Sequence, residues 1–156
     1  MGLDRTDAVL TAIESADAAV SVVESFLAQY AAVVLYSEME EHLSELIQAR
    51  LSKYTHEAVA TFISTSLREV IRRTPKSNIA DFSGRFGDTF KVRFNELVDD
   101  REVTRYMNVI AARHDVGHRR GSNITVAEVR LGHLAATHII GALDTCFDEI
   151  CGPLGN

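Results

Sequence analysis

Hydrophobic positions recur at intervals of three and four residues along nearly the whole chain. This is the spacing of amphipathic helices, not the two-residue alternation of strands. The pattern predicts a helix over 4–27 with Val9, Ile13 and Ala16 on one side, then a second over 30–53. The stripe of the second is Leu35, Met39, Leu43, Leu46, Ile47 and Leu51. No proline or glycine separates these two, so the spacing leaves their boundary open. Thr55 is placed to cap a third helix running to about Arg73, with Val59, Phe62, Ile63, Leu67, Val70 and Ile71 as its apolar face. Thr74-Pro75 stops it, because the residue before a proline avoids helical geometry. A fourth helix begins at Ser77-Asn78 and carries Ile79, Phe82, Phe86, Phe90, Phe94 and Leu97, although Gly84 and Gly87 lower its propensity. A fifth follows Asp99-Asp100 to about Gly117, with Val103, Tyr106, Met107 and Ile110 inward. Thr125-Val126-Ala127-Glu128 has the form of a capping box. It opens a last helix with Val129, Ala136, Ile140, Leu143, Phe147 and Ile150, ended near Cys151 by Gly152-Pro153. The one segment that could read as a strand, Ala31–Tyr36, has the helical stripe on both sides. The predicted fold is all-α, an antiparallel bundle of about five to six helices in a single domain over 1–156.

Composition narrows this picture little. With 156 residues, 46% hydrophobic and 24% charged, the chain can bury a core without staples. No apolar run approaches the roughly 20 residues of a membrane span, and Met1-Gly2-Leu3-Asp4-Arg5 does not read as a secretory signal. Cys146 and Cys151 match neither a redox Cys-x-x-Cys nor a zinc knuckle. A cytoplasmic protein with reduced cysteines and no membrane partner is therefore expected. Charge is more informative. The net charge of −6 argues against a general nucleic-acid coat. Residues 1–50 hold two basic and nine acidic side chains, whereas 101–130 hold six basic (Arg101, Arg105, Arg113, Arg119, Arg120, Arg130) and three acidic.

That basic segment contains the most chemically loaded stretch of the chain, Arg113-His114-Asp115-Val116-Gly117-His118, followed by Arg119-Arg120-Gly121-Ser122-Asn123. Histidine moves protons near neutral pH, and arginine's planar fork holds phosphoryl oxygens. Together they suit cleavage of an RNA phosphodiester. Arg113 and His114 lie three and four residues after Ile110 and continue its apolar face. A plainer reading is a stripe fraying into polar residues, with cations that offset the helix dipole. Arg113 and His118 are roughly 140° apart on an ideal helix. Both reach one phosphate only if the helix ends at Gly117 or a second subunit completes the site. A metal reading also exists. His114 and His118 are spaced to share a metal, with Asp115 nearby. The words His114-Asp115-Val116-Gly117-His118 resemble the motif of HD-family phosphohydrolases, for which His56 and Asp144 would be the further ligands.

The Arg–His stretch more closely resembles the signature of HEPN domains (higher eukaryotes and prokaryotes nucleotide-binding). That signature is an Arg, a polar residue, three to five further residues and a His, at the end of a late helix before one closing helix. Arg113, His114, Asp115-Val116-Gly117 and His118 fill it, with His114 where Asn is more frequent. Ala32-Val33-Val34-Leu35-Tyr36-Ser37-Glu38-Met39-Glu40-Glu41-His42-Leu43 is similar to the second-helix pattern of bacterial members, with Glu40 as the best match to its glutamate and Glu41 as the other choice. The resemblance implies a metal-independent endoribonuclease without cofactor, of the toxin–antitoxin or phage-defence type. It implies a homodimer with RNA as substrate and a cognate antitoxin as a further partner. Carried over, Arg113 and His118 form the catalytic pair and His114 is the supporting polar position. Arg119 and Arg120 would hold RNA phosphates or simply form a solvated turn. Tyr36 and Glu40 would buttress the site, unless Tyr36 only packs. The alternatives are a catalytically silent HEPN dimerisation module and, further off, the HD-type hydrolase. His133 and His138 are expected to be packed or rim residues, and the phenylalanine row to be core.

Overall fold

A computed structural model describes residues 2–15, 22–54, 58–59, 61–63, 65–66, 79–117 and 124–153, the side chains of 22, 52–54, 80 and 113–117 excepted. The described residues are helical apart from short connections, and no strand occurs among them. The helices are α1 (Asp4–Ser15), α2 (Val22–Tyr54), α3 (Ile79–Gly84), α4 (Asp88–Leu97), α5 (Asp100–Gly117) and α6 (Val126–Cys151). Further helical residues occur at 58–59, 61–63 and 65–66. The all-α architecture is therefore the predicted one.

The chain forms two compact units. One comprises Met1–Met39 with Asp100–Ile139, the other Glu40–Asp99 with Ile140–Asn156. In the first, α1 buries Thr6, Leu10 and Ile13, with Leu3 buried just before it, a face rotated from the predicted Val9–Ile13 side. Ala28, Ala31, Ala32 and Leu35 are buried in phase with one another, so α2 runs unbroken through 27–30, where the spacing leaves the boundary open. Tyr106, Val109, Ile110 and Ala112 of α5 and Val129, Ala135 and Ala136 of α6 complete this core. Gly132 lets α6 approach α5: a Cβ there would be 2.4 Å from Val109 Cγ2.

The second unit is built on aromatic packing. Phe86 meets Phe82, Phe90 and Phe147 at centroid separations of 5.4, 4.9 and 5.0 Å. The predicted fourth helix is broken into α3 and α4, which pack against each other. The break falls at Gly87, whose φ of 106° is open to glycine and strained for other residues. Val59 and Phe62, expected inside, are 46% and 72% exposed, and Ile150 at the end of α6 is also exposed.

The last helix begins as its sequence dictates. Glu128 Oε2 accepts hydrogen bonds from Thr125 N (2.8 Å) and Thr125 Oγ1 (2.9 Å), and Glu128 N donates back to Thr125 Oγ1 (3.2 Å). This is the reciprocal capping box. At the other end Gly152, with φ 79°, closes α6 in the left-handed conformation common just past a helix.

Candidate functional site

The backbone of α5 is helical through Arg113 and His114 to Gly117, and α6 starts at Val126 behind its Thr125 cap. Arg113 to Gly117 therefore form the last turn described of α5. Arg113 comes one turn after the buried pair Val109 and Ile110. The side chains of Arg113 and His114, and all of His118, Arg119 and Arg120, lie outside the described residues, as does His56.

Other arginines of the basic segment are described, and one of them changes the charge account. Arg130 was grouped with the local positive charge. Its guanidinium is instead held by α1, with Nε and Nη2 donating to Glu14 at 3.1 and 2.8 Å and Nη1 donating to Asp7. The hydrogen bonds from Arg130 outweigh desolvation and hold the Glu14 carboxyl below its ordinary value. Arg130 thus docks one helix on another. Arg101 and Arg105 are exposed and, with Asp100 and Thr104, line a shallow hollow of about 330 Å³ at the start of α5.

The second-helix glutamate is the larger surprise. Glu40 is half-buried, and its carbonyl accepts the Ser44 hydroxyl at 2.8 Å. Tyr36 is buried. The carboxylate that the fold encloses is Glu38, 3% exposed. It accepts Arg5 N at 2.8 Å, Thr6 N at 2.9 Å and Thr6 Oγ1 at 2.6 Å. Those amides belong to the first turn of α1, whose N–H groups have no partner within the helix. Glu38 therefore caps α1 from another helix and places a negative charge at its positive end. Burial pushes this carboxyl up. The Thr6 hydroxyl, the Arg5 and Thr6 amides and the Arg5 guanidinium outweigh burial, leaving it below the ordinary carboxylate value. On the same turn, the Leu3 carbonyl accepts a hydrogen bond from Nε2 of the buried His133 at 3.1 Å. His133 is thus a packed residue. His138 is exposed, its Nδ1 2.8 Å from Glu102 Oε1.

Asp144, the aspartate an HD-type metal site would enlist, is held by a buried arginine. Arg50 is 6% exposed, with Nη2 2.7 Å from Asp144 Oδ1 and Nη1 2.7 Å from Asp148 Oδ1. Arg50 Nη1 also donates to the Gly152 carbonyl at 3.2 Å, and the guanidinium lies 5.8 Å from the Phe147 ring centre. Burial lowers the Arg50 pKa, but the hydrogen bonds and charges of the two aspartates raise it further, so the cation is locked in at the C-terminal end of α6. Among the described residues no group of three or more His, Cys, Asp or Glu side chains is arranged to hold a metal ion. Cys146 is buried, Cys151 is exposed, and neither forms a disulfide. Burial pushes the Cys146 thiol up. No helix among the described residues is long and apolar enough to cross a membrane.

Glu38 and Arg50 were legible in principle. Glu38 falls between Leu35 and Met39, and Arg50 follows Leu46 and Ile47, so each interrupts a buried stripe with a charge. Comparison with protein-family models, curated proteins and solved structures finds no match to the chain.

Proposed function

We propose that this chain is a metal-independent endoribonuclease of the HEPN type, acting as a homodimer in a toxin–antitoxin or phage-defence setting in the cytoplasm. What carries the reading is the Arg113-x4-His118 spacing, whose Arg113 falls in the last described turn of α5, in an all-α chain whose last described helix, α6, starts behind its cap at Val126. The local surplus of arginine supports it, reduced by the Arg130 charge spent on α1.

The chemistry follows from the residue types. The ribose 2′-oxygen attacks the adjacent phosphorus and the bond from phosphorus to the 5′-oxygen breaks, leaving a 2′,3′-cyclic phosphate and a 5′-hydroxyl. His118 moves a proton at one of those two oxygens. Arg113 offers a bidentate fork to the non-bridging oxygens as charge builds on them. Arg119 and Arg120 hold the flanking backbone without reading bases.

The test is an RNA substrate with a single 2′-deoxy nucleotide 5′ to a mapped cleavage site. Cleavage there is lost and other sites persist if the ribose hydroxyl is the nucleophile. Cleavage that continues at the deoxy position, or 3′-hydroxyl product ends, would refute the mechanism.

A further inference from the structure

The first half of α2 turns an uncharged face to solvent. Between Val23 and Met39 it carries two charged side chains: Glu24 is half-buried and Glu38 is buried. Its exposed positions are Val23 (55%), Phe26 (65%), Tyr30 (59%), Val33 (36%) and Ser37. Further along the same helix, over 40–50, the exposed positions are Glu41, Glu45, Gln48 and Ala49, as expected of a face that stays in water. A row of large apolar side chains without charge is the mark of a surface that meets another protein.

The order of the row identifies the partner. Val23, Phe26, Tyr30 and Val33 are separated by three, four and three residues. The pattern reads the same in both directions, in spacing and in residue class: β-branched, aromatic, aromatic, β-branched. A twofold interface requires a patch that matches itself when reversed. Two copies of α2 crossing antiparallel with the axis opposite Ala28 would set Val23 against Val33 of the partner subunit, and Phe26 against Tyr30 of the partner subunit. The contact would run about 15 Å along each helix. Charge favours the same partner. The chain carries a net charge of −6, so two copies repel each other on balance, whereas this row brings no like charges together.

We propose that this face of α2 is the homodimer surface, with the Phe26 and Tyr30 rings at its centre and the valines at its ends. It gives the dimer of the proposed function a location, yet draws on none of the Arg–His chemistry. A mass measurement therefore fails or succeeds independently of RNA cleavage.

Sedimentation equilibrium tests it. The wild type is expected at twice 17.2 kDa in the micromolar range. The double variant Phe26→Glu/Tyr30→Glu is expected at 17.2 kDa with an unchanged helical circular-dichroism spectrum. A central aromatic replaced in this way weakens association by at least about 30-fold. Should that variant fold poorly, Phe26→Ser gives the same readout without introducing charge. Val92→Glu, at an equally exposed valine of α4, keeps the dimer. In a Cys151→Ser background, mixing Val23→Cys and Val33→Cys chains gives an oxidised heterodimer, whereas Val23→Cys alone does not cross-link. A monomeric wild type, a folded Phe26→Glu/Tyr30→Glu variant that still dimerises, or Val23→Cys linking to itself would overturn the proposal.

Discussion

Glu38 does more for the fold than its place in the sequence suggests, and replacing it measures how much. In the Glu38→Ala variant, the amides of Arg5 and Thr6 and the Thr6 hydroxyl lose their acceptor. A buried amide without a partner costs about 1–3 kcal/mol, and a carboxylate at a partly buried helix N-terminus contributes up to about 2 kcal/mol. The Arg5 side chain is exposed, so water replaces the acceptor at its amide, while Thr6 is fully buried and cannot be rehydrated. One stranded amide plus the lost dipole contribution comes to about 3–4 kcal/mol, or about 10 °C in Tm for a chain of this length. Glu38→Gln keeps the shape and one acceptor oxygen but not the charge, and costs about 1–2 kcal/mol. The pH dependence has a definite sign. The Glu38 carboxyl lies below its ordinary value in the folded protein, so its contribution is complete above the unfolded carboxylate range and fades as pH falls through the folded value. Thermal unfolding followed by circular dichroism should therefore show the gap between wild type and Glu38→Gln closing on acidification from pH 7. A Glu38→Ala variant within about 2 °C of wild type, or a gap to Glu38→Gln that stays constant with pH, would refute this reading.

Two further substitutions probe the two units separately. Gly132→Ala drives a methyl into Val109 and should cost about 1–3 kcal/mol in urea unfolding. Adding Val109→Ala should recover part of that loss, and strict additivity of the two changes would count against the close approach. Arg50→Ala removes the link from α2 to Asp144, Asp148 and the Gly152 carbonyl, and the cover over Phe147. About 2–4 kcal/mol of stability should go with it, with Arg50→Lys restoring only part because it lacks the fork. A denaturant midpoint unmoved in Arg50→Ala would contradict the buried clamp.

What could be read from the sequence was what local chemistry decides. The Thr125–Glu128 box needs four consecutive residues, and the end of α6 needs one glycine, so both were placed correctly. The phenylalanine row is core as its period implied, while its break at Gly87 depends on a backbone angle that propensity only hints at. The boundary between the first two segments stayed open because alanines 28, 31 and 32 carry the buried stripe where α2 runs unbroken, and small residues register weakly as hydrophobic. Val59 and Phe62 fitted a helical period but not the core, because period alone does not say which face is covered. Around the candidate site, the sequence singled out the chemistry of Arg113 and His118. It missed Glu38, whose partners are 32 and 33 residues away, and it counted Arg130 as free charge although its partners lie 116 and 123 residues away. A charge that interrupts a buried stripe marks Glu38 as enclosed, but which partner it meets over such a distance is set by packing and leaves no local signature.

RNA incubated in EDTA with the purified protein, beside its Arg113→Ala, Arg113→Lys and His118→Ala variants, decides whether the Arg–His pair cuts without a metal. Cleavage by the wild type alone is expected, with Arg113→Lys inactive because an ammonium cannot replace the bidentate fork. Cleavage that EDTA abolishes, or that survives loss of Arg113 or His118, would contradict it.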